Sequence, residues 1–169
     1  MNERLRFEIA TEEDAQQILA LYRSLVGTPF CVWNENYPSE SEIEFDLSRD
    51  ALFVIKDIDG TIAGTISADL DENVSSLDCW SKDLEPSVEL SRLGVNEKYQ
   101  NKGIAGELLK NMMKKMKDQG MRSVHFLVCK KNIKAIKAYN KLTFNVVGEC
   151  RLYDEDYYCY ERDLKDYEY

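Results

Sequence analysis

Histidine is almost absent from this chain: among 169 residues there is one, His125. The five cysteines (Cys31, Cys79, Cys129, Cys150 and Cys159) include no pair at C-x-x-C spacing. A zinc or other transition-metal site therefore has almost no ligand set to draw on, and none is expected. No apolar run approaches the ~18 residues needed to span a bilayer. The first six residues, Met1 to Arg6, lead straight into an alternating segment without the apolar core of a signal peptide. Neither a GK[ST]-terminated phosphate loop nor a GxGxxG dinucleotide fingerprint is present. These absences leave a single soluble domain over residues 1–169, expected in the cytoplasm with reduced, mostly buried thiols.

Basic charge is scarce overall, 22 Lys and Arg against 31 Asp and Glu, yet it is concentrated. Between Lys98 and Lys141 stand twelve basic residues and two acidic ones, while the remainder carries ten basic against twenty-nine acidic. Such a split suits a polyanionic ligand near the basic window and a cationic partner elsewhere. The plainer alternative is that lysines merely solvate helix faces. A nucleic-acid binder is disfavoured by the net charge of −9.

Hydrophobic periodicity gives the elements. Leu5–Ile9 alternates as a strand, and Thr11 caps a helix carrying Ala15, Ile18, Leu19, Tyr22 and Leu25. Gly27–Ser39, with Pro29, Phe30, Trp33, Tyr37 and Pro38, reads as an aromatic loop before a short helix with Ile43, Phe45 and Leu47. Leu52–Ile55 and Thr61–Ile66 flank a hairpin turn at Asp57–Gly60, and an acidic connection runs from Asp69 to Pro86. A strand at Val88–Val95, a helix from about Gly103 to Gln119, a strand at Ser123–Val128 and a helix from Asn132 to about Lys141 follow. Phe144–Tyr153 and Tyr157–Arg162 close the chain as a hairpin. The pattern is α/β with a mixed sheet.

The strongest chemical signal is the strand–loop–helix Leu93-Gly94-Val95 to Gln100-Asn101-Lys102-Gly103-Ile104-Ala105-Gly106. A glycine-bearing loop that opens a helix presents unpaired N–H groups at the positive end of the helix dipole, where a pyrophosphate can sit. Lys102 is placed to assist. Glycines used only for a tight turn remain the alternative for Gly103 taken alone. Downstream, Asn132, Ala135 and Tyr139 share one helical face.

Together these segments resemble the GCN5-related N-acetyltransferase (GNAT) family. Gln100-x-x-Gly103-x-Ala105 is similar to its pyrophosphate loop, and Asn132-x-x-Ala135-x-x-x-Tyr139 to its second motif. The element order matches over nearly the whole chain. The resemblance implies a mixed, mostly antiparallel sheet with a splayed parallel strand pair flanked by helices. It implies acetyl-CoA as co-substrate, with its pantetheine arm on the backbone of Leu93 and Val95 and its pyrophosphate on the amides of Gln100 to Gly106. Lys98, Lys102, Lys130, Lys131, Lys134 and Lys137 would attract that anion.

By the same resemblance, a neutral primary amine of a small molecule or peptide attacks the thioester directly. The Leu93 N–H acts as oxyanion donor and Tyr139 as general acid. Glu89 is the candidate base, through water; a rim carboxylate or a partner for Arg92 are its other readings. Acidic residues such as Asp69, Asp71, Glu72, Asp78 and Asp83 favour a cationic amine. His125 reads as a core residue, and Cys129 as a buried thiol rather than a nucleophile. Trp33, Tyr37 and Trp80 suit either an amine pocket or packing, and Tyr153, Tyr157, Tyr158 and Tyr160 the sheet. Thr143 stands where the family usually has glycine, so a different turn is expected there. A non-catalytic acyl-CoA-binding module is the competing reading, and a homodimer is compatible with either.

Overall fold

The computed structural model describes all 169 residues, Met1–Tyr169. The strands are β1 (Leu5–Ile9), β2 (Leu52–Asp57), β3 (Ile62–Asp69), β4 (Ser87–Val95), β5 (Ser123–Cys129), β6 (Asn145–Leu152) and β7 (Glu155–Asp163). The helices are α1 (Ala15–Leu25), α2 (Glu40–Ser48), α3 (Glu72–Ser75), α4 (Ile104–Asp118) and α5 (Ile133–Tyr139). The sheet has seven strands in the order β1-β2-β3-β4-β5-β7-β6. The β1/β2, β2/β3, β5/β7 and β6/β7 ladders are antiparallel and β4/β5 is parallel. The expected mixed, mostly antiparallel α/β sheet is therefore what this sequence forms. Two compact units can be distinguished: Met1–Ala68 with Arg92–Leu109, and Asp69–Ser91 with Lys110–Tyr169.

In the first unit, a 3-10 turn at Glu12–Asp14 precedes α1, because the Asp14 carboxylate accepts the Thr11 N–H at 2.9 Å. Ser39 starts α2 with a capping box, its N–H and hydroxyl both donating to Glu42 at 2.7 and 2.6 Å. The apolar stripe of α1 (Ile18, Leu21, Tyr22, Leu25) buries against Ile43, Leu52, Val54 and Ile62. Each fully buried side chain of this size contributes about 1.5–3 kcal/mol. Two glycines set how closely helices approach the strands. A Cβ on Gly94 of β4 would lie 3.0 Å from Leu21 and 3.1 Å from Leu25 of α1. One on Gly64 of β3 would lie 2.8 Å from Ile104 at the start of α4.

In the second unit, β5 is buried, and Phe126 organises an aromatic cluster. It stacks on Tyr160 at 5.4 Å and meets Tyr139 and Phe144 edge-on at 5.6 and 4.8 Å. The acidic segment after Asp69 is more ordered than its polarity suggests. It contains α3 and a 3-10 turn at Lys82–Leu84. Trp80 Nε1 donates to the Val74 carbonyl at 2.7 Å, and the Ser81 hydroxyl donates to Glu161 at 2.6 Å. The Tyr153 hydroxyl donates to Asp71 at 2.5 Å, so this tyrosine pins the segment rather than serving the sheet alone.

Thr143 corrects one expectation. The turn keeps a left-handed residue there, at φ 57° and ψ 35°, although threonine resists that conformation. The Arg162 guanidinium explains it, donating to the carbonyls of Leu142 at 2.8 Å and Thr143 at 3.2 Å, and to the Thr143 hydroxyl. Arg162→Ala is expected to destabilise the protein by about 1.5–3 kcal/mol, the worth of charge-assisted hydrogen bonds. Adding Thr143→Gly to that variant should recover about 1 kcal/mol by relieving the turn. Urea midpoints of the two variants check both signs.

Candidate active site

The loop between β4 and α4 lies in the first unit and is built as a row of amides. Asn101 and Gly103 take positive φ, 60° and 80°, the left-handed backbone found where successive N–H groups form an anion-binding concavity. Helical bonding begins with the Glu107 N–H on the Gly103 carbonyl at 3.0 Å, so the amides of Ile104, Ala105 and Gly106 precede it. Open space surrounds the positions a Cβ would take on Gly103 and Gly106. Gly103 is thus required by its φ, whereas nothing in the protein requires glycine at 106. Close approach by an anion supplies a reason. Gln100 turns away from this row, donating through Nε2 to the Val95 carbonyl at 3.3 Å. The Lys102 ammonium lies 5.6 Å from the centre of the Tyr99 ring.

Upstream, β4 is irregular. Arg92 has φ 48°, a left-handed residue inside a strand, which interrupts the alternation expected between Glu89 and Val95. Its guanidinium forms a fork on Asp46 of α2, with Nη2 at 2.9 and 3.0 Å and Nε at 3.3 Å. Asp46 also accepts from Arg49 at 2.8 Å and from the Ser67 hydroxyl at 2.6 Å. This carboxylate is fully buried, and its lone pairs are well occupied.

In the second unit, β4 and β5 pair over Ser87/Ser123, Val88/Val124 and Glu89/His125. The parallel ladder ends there, while β5 continues against β7 as far as Cys129/Tyr157. The expected parallel strand pair is therefore present in β4 and β5. Glu89 is buried, with His125 as its register neighbour on β5. Neighbours in register point to the same face of a sheet.

His125 is also buried: Nδ1 lies 2.6 Å from the Ser87 hydroxyl, Trp80 packs 4.7 Å away, and Nε2 has no hydrogen-bond partner. It is a core residue, as expected, but only half satisfied. Burial lowers its pKa from 6.5 to about 4, so the ring is neutral. A lowered value stabilises the fold fully above the unfolded pKa near 6.5, and that contribution is lost as pH falls toward 4. By pH ~4.5 the loss should reach about 2–3 kcal/mol. The drop in unfolding free energy between pH ~7 and ~4.5, measured by urea titration, should be smaller by about that much in His125→Gln.

Helix α5 shows why its residues are spaced as they are. The Asn132 side chain caps it, accepting the Ala135 N–H at 3.1 Å. Tyr139 ends it, buried on Phe126, and its hydroxyl makes no hydrogen bond to the protein. Burial pushes its pKa up to about 12, so it holds its proton throughout the neutral range. Burial likewise raises the Cys129 thiol, whose sulfur lies 3.7 Å from Glu155, so this cysteine is protonated rather than nucleophilic. Trp33 and Trp80 are both engaged in packing, on Tyr22 at 5.3 Å and on His125.

The sequence matches the acetyltransferase (GNAT) family over residues 13–144. The chain belongs to the GNAT family. It is 32% identical over 155 residues to an N-alpha-acetyltransferase of Sulfurisphaera tokodaii, covering 89% of this chain and 86% of that one. An acetyltransferase of Pectobacterium atrosepticum is 27% identical over 145 residues, 85% of this chain and 89% of the relative. Among solved structures, an N-acetyltransferase from Staphylococcus aureus Mu50 superposes with a TM-score of 0.75 at 22% identity, over 96% of this chain and 100% of that one. The Salmonella typhimurium protein yncA, solved with its cofactor acetyl-CoA, gives 0.76 at 18% identity, over 98% and 96%.

Within this GNAT protein the candidate residues fall into two groups. Leu93, Gly94, Val95 and Gln100 to Gly106 belong to the first unit; Glu89, Asn132, Ala135 and Tyr139 belong to the second. Gly94 and Asn132 have clear structural duties, helix contact and capping, beside any role toward a ligand. Of the six lysines singled out, Lys130 and Lys131 are paired with Glu149 at 3.0 Å and Glu155 at 3.2 Å. Lys98, Lys102, Lys134 and Lys137 are in no ion pair. The Asp46–Arg92 fork was missed by sequence reasoning. Its signal was an acid one turn after Ile43, on the face of α2 that is otherwise apolar.

Proposed function

We propose that this chain is an acetyl-CoA-dependent N-acetyltransferase that transfers an acetyl group to a primary amine of a small molecule or peptide, acting as one domain over residues 1–169. The observation that carries the reading is the run of amides from Asn101 to Gly106, with positive φ at Asn101 and Gly103 and open space beside Gly106; the Gln100 N–H is already given to the Glu97 carbonyl at 3.4 Å. These amides would hold the diphosphate, and Lys102 and Lys98 would add charge attraction. The backbone of Leu93 and Val95 would hold the pantetheine arm. When bound, acetyl-CoA supplies an acetyl group activated as a thioester.

The remaining work falls to the chain. The Leu93 N–H polarises the acetyl carbonyl and holds the charge that develops on its oxygen. Tyr139 keeps a proton available for the departing sulfur, and its raised pKa guarantees that the proton is there at neutral pH. Glu89, through a water, removes a proton from the attacking amine. Binding both substrates together supplies orientation, and no covalent enzyme intermediate is needed. The buried, protonated state of Cys129 supports direct transfer over a thiol relay. Acidic residues of the 69–86 segment favour a cationic acceptor, and the N-alpha-acetyltransferase relative supports a peptide amino terminus as one member of that class.

Thiol release from acetyl-CoA, measured across amino-terminal peptides, polyamines and free amino acids, tests the reading. Amine-dependent release with at least one class is expected. Tight acetyl-CoA binding without release on any amine would instead identify a binding module.

A further inference from the structure

We propose that Asp46 is a positioning residue for acetyl transfer: through the Arg92 guanidinium it fixes the direction of the Leu93 N–H. The inference rests on the assignment of that N–H as the oxyanion donor. The Leu93 amide belongs to the peptide that follows Arg92, so its direction is set by the backbone angles of Arg92. Those angles are unusual, since φ is 48° at a residue that carries a long side chain. A left-handed arginine persists inside a strand only where its surroundings hold it there.

Here the holding group is identifiable. Asp46 is 0% exposed and receives Arg92 through both Nε and Nη2, at 2.9 to 3.3 Å. Asp46 is itself fixed by Arg49 and Ser67, so it cannot follow a moving guanidinium. The other arm of the fork, Nη1, donates to the Tyr37 hydroxyl at 3.3 Å. Tyr37 is 40% exposed and lies in the aromatic loop before α2. A buried carboxylate thus grips the arginine at the bend in β4, and the same guanidinium reaches a loop tyrosine.

The test separates backbone geometry from packing. Arg92→Ala removes the fork and leaves a residue that resists positive φ, whereas Arg92→Gly removes the fork but accepts that φ without strain. We expect kcat to fall about 10- to 100-fold in Arg92→Ala, with KM for acetyl-CoA within about threefold of the parent. Arg92→Gly should be faster than Arg92→Ala by about fivefold or more, although it fills less space. Asp46→Asn should resemble Arg92→Ala on its own and add little in the Arg92→Gly background, the non-additivity of residues acting in series. If Asp46→Asn fails to fold, the two Arg92 variants still decide the point.

Equal or slower turnover in Arg92→Gly than in Arg92→Ala would overturn the proposal. So would a full additional loss from Asp46→Asn in the Arg92→Gly background. A parent protein with no amine-dependent turnover would sink the acetyltransferase reading instead. The positioning claim would then be read from the Leu93 amide resonance, which should move in Arg92→Ala and return toward the parent in Arg92→Gly. An unmoved resonance in Arg92→Ala would refute it.

Discussion

Tyr139→Phe is expected to lower kcat by about two to three orders of magnitude, with little change in KM for acetyl-CoA. The reason is the isolation of its hydroxyl. No protein group bonds it, and the ring packs on Phe126 at 5.6 Å by contacts that phenylalanine reproduces. Thermal stability should therefore stay within about 0.5 kcal/mol of the parent, as for a substitution that leaves packing intact. A purely structural tyrosine would give the opposite pattern, with stability shifted and turnover retained. Stopped assays of thiol release beside a thermal melt separate the two. Because its pKa is raised to about 12, the general acid should not limit the rate on the alkaline side until well above neutrality.

Gly106→Ala should move stability and binding in opposite directions. The residue sits in the first turn of α4, where alanine is favoured over glycine by up to about 1 kcal/mol, and nothing beyond its chain neighbours and its own helix backbone lies within 4 Å of the added methyl. The melting temperature should rise. On the proposed site, affinity for acetyl-CoA should fall about tenfold or more, because the methyl occupies the space through which the diphosphate would approach the amides. Gly106→Asp should weaken binding further, to about a hundredfold, by setting a carboxylate against the anion. A gain in stability with unchanged affinity would place the ligand elsewhere.

The parts of this protein that were legible from sequence are those in which local chemistry dictates conformation. The glycines at 103 and 106 announced a loop that opens a helix, and the apolar stripe of α4 followed from helical periodicity. The capping role of Asn132 shows the same local logic. Long-range pairings stayed hidden. Nothing near Asp46 announces that Arg92, 46 residues on, folds onto it, and a left-handed arginine in a strand has no compositional signature.

The left-handed turn at Thr143 is not legible from residue propensity, because the group that clamps it, Arg162, lies on β7. The acidic stretch after Asp69 read as a connection because the anchors that order it, Glu161 and Tyr153, come some eighty residues later. Charge was partly misleading as well. Lys130 and Lys131 sit inside the basic window yet are neutralised by Glu149 and Glu155 from β6 and β7.

Calorimetric titration of the full chain with acetyl-CoA and, in parallel, with acetyl-pantetheine isolates the contribution of the diphosphate. The amides of Asn101 to Gly106 predict saturable heat with acetyl-CoA and at least about a hundredfold weaker binding of the truncated thioester, a loss that shrinks as salt is raised. Equal affinity for the two compounds, or no heat with acetyl-CoA, would contradict the account.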